Sequence, residues 1–327
     1  MSSKTASTRF AKSFFKERHK LDHLWRGTIR KESSRENHVF RLFASSLDQI
    51  GPFGKTIMDV AIALEAIAGV DESDATSMPV EVPDYQAAVR SGEGKLTGVR
   101  VGIPKEYFLD GMDSEVEKAI RQSISLLKEQ GAEIVEISLP HTKHALPVYY
   151  VITPAEAASN LARYDGIRYG KRTENFTSLS ELYARTRAEG FGTEVKRRIL
   201  IGNYVLSAGY YDAYYRKAQQ VRTLIINDFK AAFNNHCDVI LTPASPTTAF
   251  KIGENASDPL KMYLADVFTV PVNLAGVPGL TVPTSCDKAG LPIGTQLIGP
   301  PFSEPMLLRV GRNLEQACGF DTRKMCA

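Results

Sequence analysis

Apolar residues recur at helical and strand spacing along most of the chain. Between Lys55 and Gly69, Ile57, Val60, Ala61, Leu64, Ile67 and Ala68 repeat with a period of about 3.6, which predicts an amphipathic helix. Thr56 with Asp59 offers its N-cap, and Gly69 closes it. The preceding run 44–54 reads as a strand end and turn, punctuated by Gly51, Pro52 and Gly54. Val99, Val101 and Ile103 alternate as in a strand that stops at Pro104. Ser114 with Glu117 reads as a capping box for a helix with Val116, Ile120, Ile124 and Leu127 on one face, stopped by Gly131. Ile134, Val135 and Ile137 form another strand, ended by Pro140. Strand, helix, strand in that order predicts a crossover unit and a largely parallel sheet. Residues 145–233 read as mostly helical. Strands follow at Val239–Leu241, Gly279–Val282 and Thr295–Ile298, then a closing helix Glu304–Cys318 that buries Met306, Leu307, Val310 and Leu314. No internal repeat or low-complexity tract interrupts the pattern.

With 327 residues, 43% of them hydrophobic, the chain can bury a core without metal or disulfide staples, as one large domain or two modest ones. No run reaches the roughly 18 apolar residues of a membrane span, so no membrane partner is expected. A net charge of +3 is too small to be a nucleic-acid footprint by itself. The charge is uneven, however. Residues 1–39 hold ten Lys/Arg against four acids, a balance of +6, whereas the remainder balances at −3. This opening segment has no secretory h-region. It is expected to be a poorly ordered basic tail or the remnant of a truncation or frame change; an organellar transit peptide is a further reading, and Glu17, Asp22, Glu32 and Glu36 argue against it. Cys237, Cys286, Cys318 and Cys326 have neither C-x-x-C spacing nor a His pair nearby, so no metal site is expected and a reducing cytoplasm suits them.

The sequence lacks G-x-S-x-G, P-loop, H-E-x-x-H and G-x-G-x-x-G motifs. Its distinctive text lies in longer strings. These are A-S-S-L-D-Q-I-G-P-F at 44–53, S-N-L-A-R-Y-D-G-I-R-Y-G at 159–170 and E-G-F-G-T-E-V-K-R-R-I-L at 189–200. L-S-A-G-Y-Y-D-A-Y-Y-R-K-A-Q-Q-V-R at 206–222, L-T-P-A-S-P-T-T-A-F at 241–250 and F-T-V-P-V-N-L-A-G-V-P-G-L-T-V-P at 268–283 complete the set. Together they resemble the A subunits of glutamyl-tRNA(Gln) amidotransferases, a branch of the amidase-signature family, from about Phe40 to Ala317. The 268–283 string is common to many amidases; the 159–222 strings are particular to the amidotransferase branch.

The resemblance implies an α/β fold: a mixed, largely parallel sheet flanked by helices on both faces, here incomplete at its N-terminus, over 40–318 with a tail at 319–327. It implies hydrolysis of glutamine, with the ammonia passed to partner B and C subunits that amidate Glu-tRNA(Gln). ATP and Mg2+ would then sit on the partner, with no cofactor in this chain, and tRNA would be met only through the complex. The family cuts amides with a Ser–cis-Ser–Lys triad, in which a base activates an otherwise weak hydroxyl nucleophile. Those residues and their Gly/Ser-rich oxyanion loop lie upstream of the A-S-S-L-D-Q string. Residues 1–43 contain no G-G-S-S or T-G-G-S, and Gly27 is the only glycine before Gly51. No catalytic residue is therefore assigned, and Ser45 and Ser46 occupy structural positions of the family.

The substrate-holding residues do have counterparts. Motif matching assigns Arg198 to the glutamine α-carboxylate, Asp266 to the α-amino group and Tyr149 to the pocket wall, each doublet being fixed only to within one position. Guanidinium suits a carboxylate fork and carboxylate suits ammonium. Read without the family, Lys196, Arg197 and Arg198 form a solvated helix face, Asp266 caps the turn before Pro271, and Tyr149 belongs to the core. Tyr204, Tyr211 and Tyr215 fall on one helical face and read as core or subunit contact rather than as a base-stacking surface. Three functions stand at this point: glutaminase subunit, non-catalytic remnant binding glutamine or partner subunits, and general amidase.

Overall fold

Alternation along the central strands divides the core into two layers. In β3 (Val239–Pro243), Val239 and Leu241 join one cluster and Ile240 the other; in β5 (Pro292–Ile298), Ile293 and Leu297 oppose Ile298 in the same way. Successive strand side chains point to opposite faces, so a strand apolar on both must lie between helical layers. The computed structural model describes residues 43–72, 74–91, 95–108, 112–254 and 259–320. The basic segment 1–39 and residues 321–327 of the tail lie outside the described residues.

Five strands form one sheet in the order β2-β1-β3-β5-β4, with β1 at Arg100–Pro104, β2 at Glu133–Ile137 and β4 at Gly279–Cys286. β1 pairs in parallel with β2 and β3, whereas β5 is antiparallel to both β3 and β4. Four of the five strands thus run one way, the mixed and largely parallel arrangement expected. Helices α1 (Ile57–Ile67), α2 (Tyr85–Arg90) and α3 (Ser114–Glu129) share one layer with the closing helix. On the opposite layer lie α4 (Ala145–Leu161) and α7 (Lys217–Asn235), followed by a short helix at 270–275. α5 (Leu179–Gly190) and α6 (Thr193–Leu206) extend from that side, α8 is Pro259–Leu264, α9 is Val270–Ala275 and α10 is Glu304–Cys318. Phe229, Phe268, Ile225 and Ile120 are fully enclosed; each such side chain stabilises the fold by about 1.5–3 kcal/mol relative to exposure.

Sequence periodicity located these elements well and their ends less well. The Thr56–Asp59 capping box is present in full. The cap of α3 is Asp113 rather than Ser114: its carboxylate accepts from Glu115 N at 2.7 Å and Val116 N at 3.4 Å, which puts Ser114 inside the first turn. Residues 44–54 hold a turn, with Leu47 N and Asp48 N both donating to Ala44 O, but no strand end. Asp48 takes the Phe43 and Ala44 amides on its side chain and so closes the chain into a turn before any ladder forms. One buried polar seam crosses the sheet–helix interface: Ser123 of α3, Thr295 of β5 and Thr284 of β4 join hydroxyl to hydroxyl at 3.0 and 2.9 Å.

Candidate functional site

The site grows from the contact between α4 and α6. Gly202 of α6 lies so close to α4 that a Cβ there would come 2.0 Å from the Pro154 carbonyl oxygen and 2.8 Å from Ala158 Cβ. Residues four apart share a helix face. Arg198 is therefore aligned with Gly202 on the packed side of α6, and Tyr150 with Pro154 on α4. Pro154 has no N–H to offer the preceding turn, yet α4 continues through it.

The three basic residues of α6 part company here. Lys196 and Arg197 are exposed, whereas the Arg198 side chain keeps only 27% of its surface against 50% for Arg197. The solvated-face reading holds for the first two and fails for the third. Arg198 Nε donates to Glu194 Oε1 at 2.8 Å, and the guanidinium lies over the Phe43 ring at 5.7 Å. Burial pulls the Arg198 pKa down, but the Glu194 hydrogen bond and charge outweigh it, with Tyr149 and Tyr150 adding to the rise. Glu194 is held low chiefly by its hydrogen bonds to Arg198 and Arg197.

Asp266 follows α8 and enters the same electrostatic neighbourhood. Burial pushes its carboxyl up and Arg198 pulls it back down. The residue is exposed at its rim, so water tempers the burial effect. The turn toward Pro271 is capped by the Asp266 backbone carbonyl, which accepts from Thr269 N and Val270 N at 3.1 and 3.0 Å. Its carboxylate takes no hydrogen bond among the described residues, so the capping role read from sequence belongs to the main chain. Tyr149 is half-buried against the α4–α7 core and meets Tyr150 edge-on at 5.2 Å. Burial, then Asp266, pushes Tyr150 up to about 12, and its ring lies 4.1 Å from that of Tyr263. The sequence assignments Tyr149, Arg198 and Asp266 thus meet in one place. Tyr150, Tyr263, Glu194 and Phe43 join them. Tyr150 is legible in the sequence as the other member of the Tyr149–Tyr150 doublet and Glu194 by its i,i+4 spacing to Arg198, whereas Tyr263 and Phe43 carry no sequence signal. What converges is a cation whose Nη donors have no partner among the described residues, a carboxylate likewise without a hydrogen bond there, and a tyrosine wall, a set of charges matching a zwitterionic amino acid.

Ser46 lies in a different arrangement. Its hydroxyl donates to Glu156 and accepts from Arg222 Nη1 at 2.7 Å, while its carbonyl accepts from Arg222 Nη2 at 2.9 Å. Arg222 Nε reaches Leu274 O at 2.9 Å, Asn273 donates to Leu47 O and Gln49 to Val277 O. The 44–53 and 268–283 strings are therefore stitched together, and Ser46 is a fastening point. Of the two readings of the tyrosine stripe, core or subunit contact, the exposure of Tyr204 (51%) and Tyr211 (44%) counts only against core. A turn after Leu206 and a π-helical segment Tyr211–Arg216 break the helical phase, so Tyr204 packs against Tyr210 at 4.2 Å with the rings tilted by 35°, rather than aligning with Tyr211. A cavity of about 230 Å3 lies elsewhere, lined by Ser245, Thr247, Thr248 and Phe250 with no charged side chain, and is poorly matched to a charged ligand.

Comparison with known proteins places these residues in context. The family profile described as Amidase matches residues 30–308. The glutamyl-tRNA(Gln) amidotransferase A subunit of Rhizobium leguminosarum bv. trifolii is 57% identical over 279 residues, 85% of this chain and 56% of the relative. That of Desulfatibacillum aliphaticivorans is 56% identical over 283 residues, 86% of this chain and 57% of the relative. The crystal structure of the corresponding protein from Thermotoga maritima superposes with a TM-score of 0.66 at 40% identity, covering 84% of this chain and 54% of that one. The chain spans little more than half the length of the relatives it matches.

Proposed function

We propose that this chain, which belongs to the amidase family, carries the glutamine-holding part of an amidotransferase A subunit. In this reading Arg198 forks the α-carboxylate, Asp266 pairs with the α-ammonium, and Tyr149 with Tyr150 walls the side chain. The observation that carries it is the half-buried Arg198, whose Nη groups have no protein partner among the described residues, beside the unpaired Asp266 carboxylate. The relatives named above supply the amidotransferase context. The complete system would pass ammonia from glutamine to partner B and C subunits, where ATP and Mg2+ support conversion of Glu-tRNA(Gln) to Gln-tRNA(Gln) in the cytoplasm. No helix among the described residues is long and apolar enough to cross a membrane.

The 327 residues contain no G-G-S-S or T-G-G-S string to furnish the hydroxyl relay and oxyanion donors, so these residues by themselves grip glutamine without cutting it. The fastening of Ser46 by Glu156 and Arg222 supports a structural serine over a nucleophile. The test is calorimetric titration with glutamine alongside an ammonia-release assay, with and without the B and C subunits. Saturable glutamine binding without ammonia release by the chain alone is expected. Ammonia release abolished by Ser45→Ala or Ser46→Ala would overturn the non-cutting reading, and failure to bind glutamine would overturn the gripping one.

A further inference from the structure

We propose that Glu194 is the positioning residue of the carboxylate clamp: it holds Arg198 by Nε so that only the Nη end of the guanidinium faces a ligand. This rests on the reading that Arg198 grips an amino acid. Glu194 lies in the first turn of α6, where an acid is favoured by the helix dipole alone, and exposed ion pairs there contribute little. Its geometry goes further than that. Each carboxylate oxygen is committed to a different arginine, Oε1 to Arg198 Nε at 2.8 Å and Oε2 to Arg197 Nη2 at 2.7 Å. Arg197 Nη2 also donates to the Tyr263 hydroxyl at 3.4 Å, and Tyr263 packs on Tyr150, whose titration responds to Asp266 and Arg198. Glu194 is thus braced from the opposite wall of the same site.

A guanidinium can fork a carboxylate along its Nε–Nη side or across its two Nη groups. Glu194 occupies the first edge and Phe43 covers one face, which leaves the Nη end as the available fork. A long arginine loses much rotamer freedom when it docks a ligand, and fixing it beforehand lowers that cost. The Glu194 charge acts the other way, since it lies near the site of an incoming carboxylate. The two effects predict opposite results for neutral substitutions.

The experiment titrates the unaltered chain, Glu194→Ala and Glu194→Gln with glutamine and with 4-aminobutanamide, which is glutamine without its α-carboxylate. Glu194→Ala is expected to bind glutamine about tenfold more weakly and 4-aminobutanamide unchanged. Glu194→Gln, which keeps an acceptor for Nε–H, should stay within about twofold of the unaltered chain for both. Equal or tighter glutamine binding by Glu194→Ala would make Glu194 a mere competitor for Arg198, and equal weakening of both ligands would make its role structural; either overturns the proposal. A ligand-free readout separates this inference from the glutamine reading. The Arg198 Nε–H proton, followed by 15N NMR, should resist solvent exchange in the unaltered chain and in Glu194→Gln, and lose that protection in Glu194→Ala. Retained protection in Glu194→Ala overturns the positioning claim even if glutamine binds; absent glutamine binding with the expected exchange pattern overturns only the ligand.

Discussion

Gly202→Ala tests whether the α4–α6 contact sets both stability and the site. A Cβ at 202 would lie 2.0 Å from the Pro154 carbonyl oxygen and 2.5 Å from its carbon, whereas ordinary contact begins near 3.4 Å. The shortfall is 1.4 Å against backbone, which cannot rotate away as a side chain would. Alanine gains about 1 kcal/mol over glycine in helix propensity, and overpacking costs about 1–3 kcal/mol or more. With two carbonyl atoms and Ala158 Cβ all too close, the clash falls at the upper end of that range, and we expect a net loss of about 2 kcal/mol. At an m-value of about 2–3 kcal/mol/M this lowers the urea midpoint by roughly 1 M. The helices must part by about 1 Å, and Arg198 and Tyr150 sit one turn from the wedge, so glutamine affinity measured below the unfolding transition should fall by about tenfold or more. Gly190→Ala is the control: no atom lies within 4 Å of its Cβ, and stability should hold or rise by a few tenths of a kcal/mol. Gly202→Ala with an unchanged midpoint and unchanged glutamine affinity would refute the reasoning.

Arg198→Lys should lose most glutamine binding although the charge survives, since an ammonium cannot reproduce the fork; calorimetry reads this directly. Burial raises Asp266, so glutamine affinity should fall on acidification from a pH above the ordinary Asp value of about 3.9, and Asp266→Asn should bind weakly with no such dependence. Arg222→Met strands the buried Leu274 O, while the exposed Ser46 O turns to water, and is expected to cost about 2 kcal/mol, against less than about 1 kcal/mol for Ser46→Ala, by urea denaturation. Asp238 is held low by its hydrogen bonds from Arg100, so its contribution is complete above the unfolded value of about 3.9 and is lost as pH falls through the lower folded value. With both partners about one-third exposed, Asp238→Asn should cost about 1 kcal/mol at pH 7, a difference that vanishes in strong acid.

Most elements were legible because burial is periodic. α3 carries Val116, Ile120 and Leu127 on its buried side at helical spacing, and Val99, Val101 and Ile103, at every second position, join the same core cluster. The α3 cap shifted by one residue because Asp113 and Ser114 are both good caps and only the backbone angle decides between them. The 44–54 turn was half legible: glycine and proline marked a break, but the Asp48 hold on Phe43 and Ala44 is a local competition that no period reports. Tyr204 leaves the face that helical spacing predicts it shares with Tyr211 and Tyr215 because a turn and a π-helical segment change the angular step, whereas Tyr211 and Tyr215 still pack together at 5.3 Å. At the site, Arg198, Asp266 and Tyr149 came from motif text, whereas Tyr263 and Phe43 come from distant segments that meet only on folding.

The hydroxyl seam of Ser123, Thr295 and Thr284 restricts how the antiparallel edge can be assembled. Sliding β5 one residue past β4 would turn Thr295 to the other face and leave the Thr284 and Thr295 hydroxyls without each other, at about 1–3 kcal/mol each, while Ser123 keeps its bond to Ala119 O. A purely aliphatic boundary would forgive that slip. Here the wrong alignment is penalised at both threonines, so the hairpin has one favoured docking against α3, and its amides should be among the slowest in the chain to trade protons with solvent.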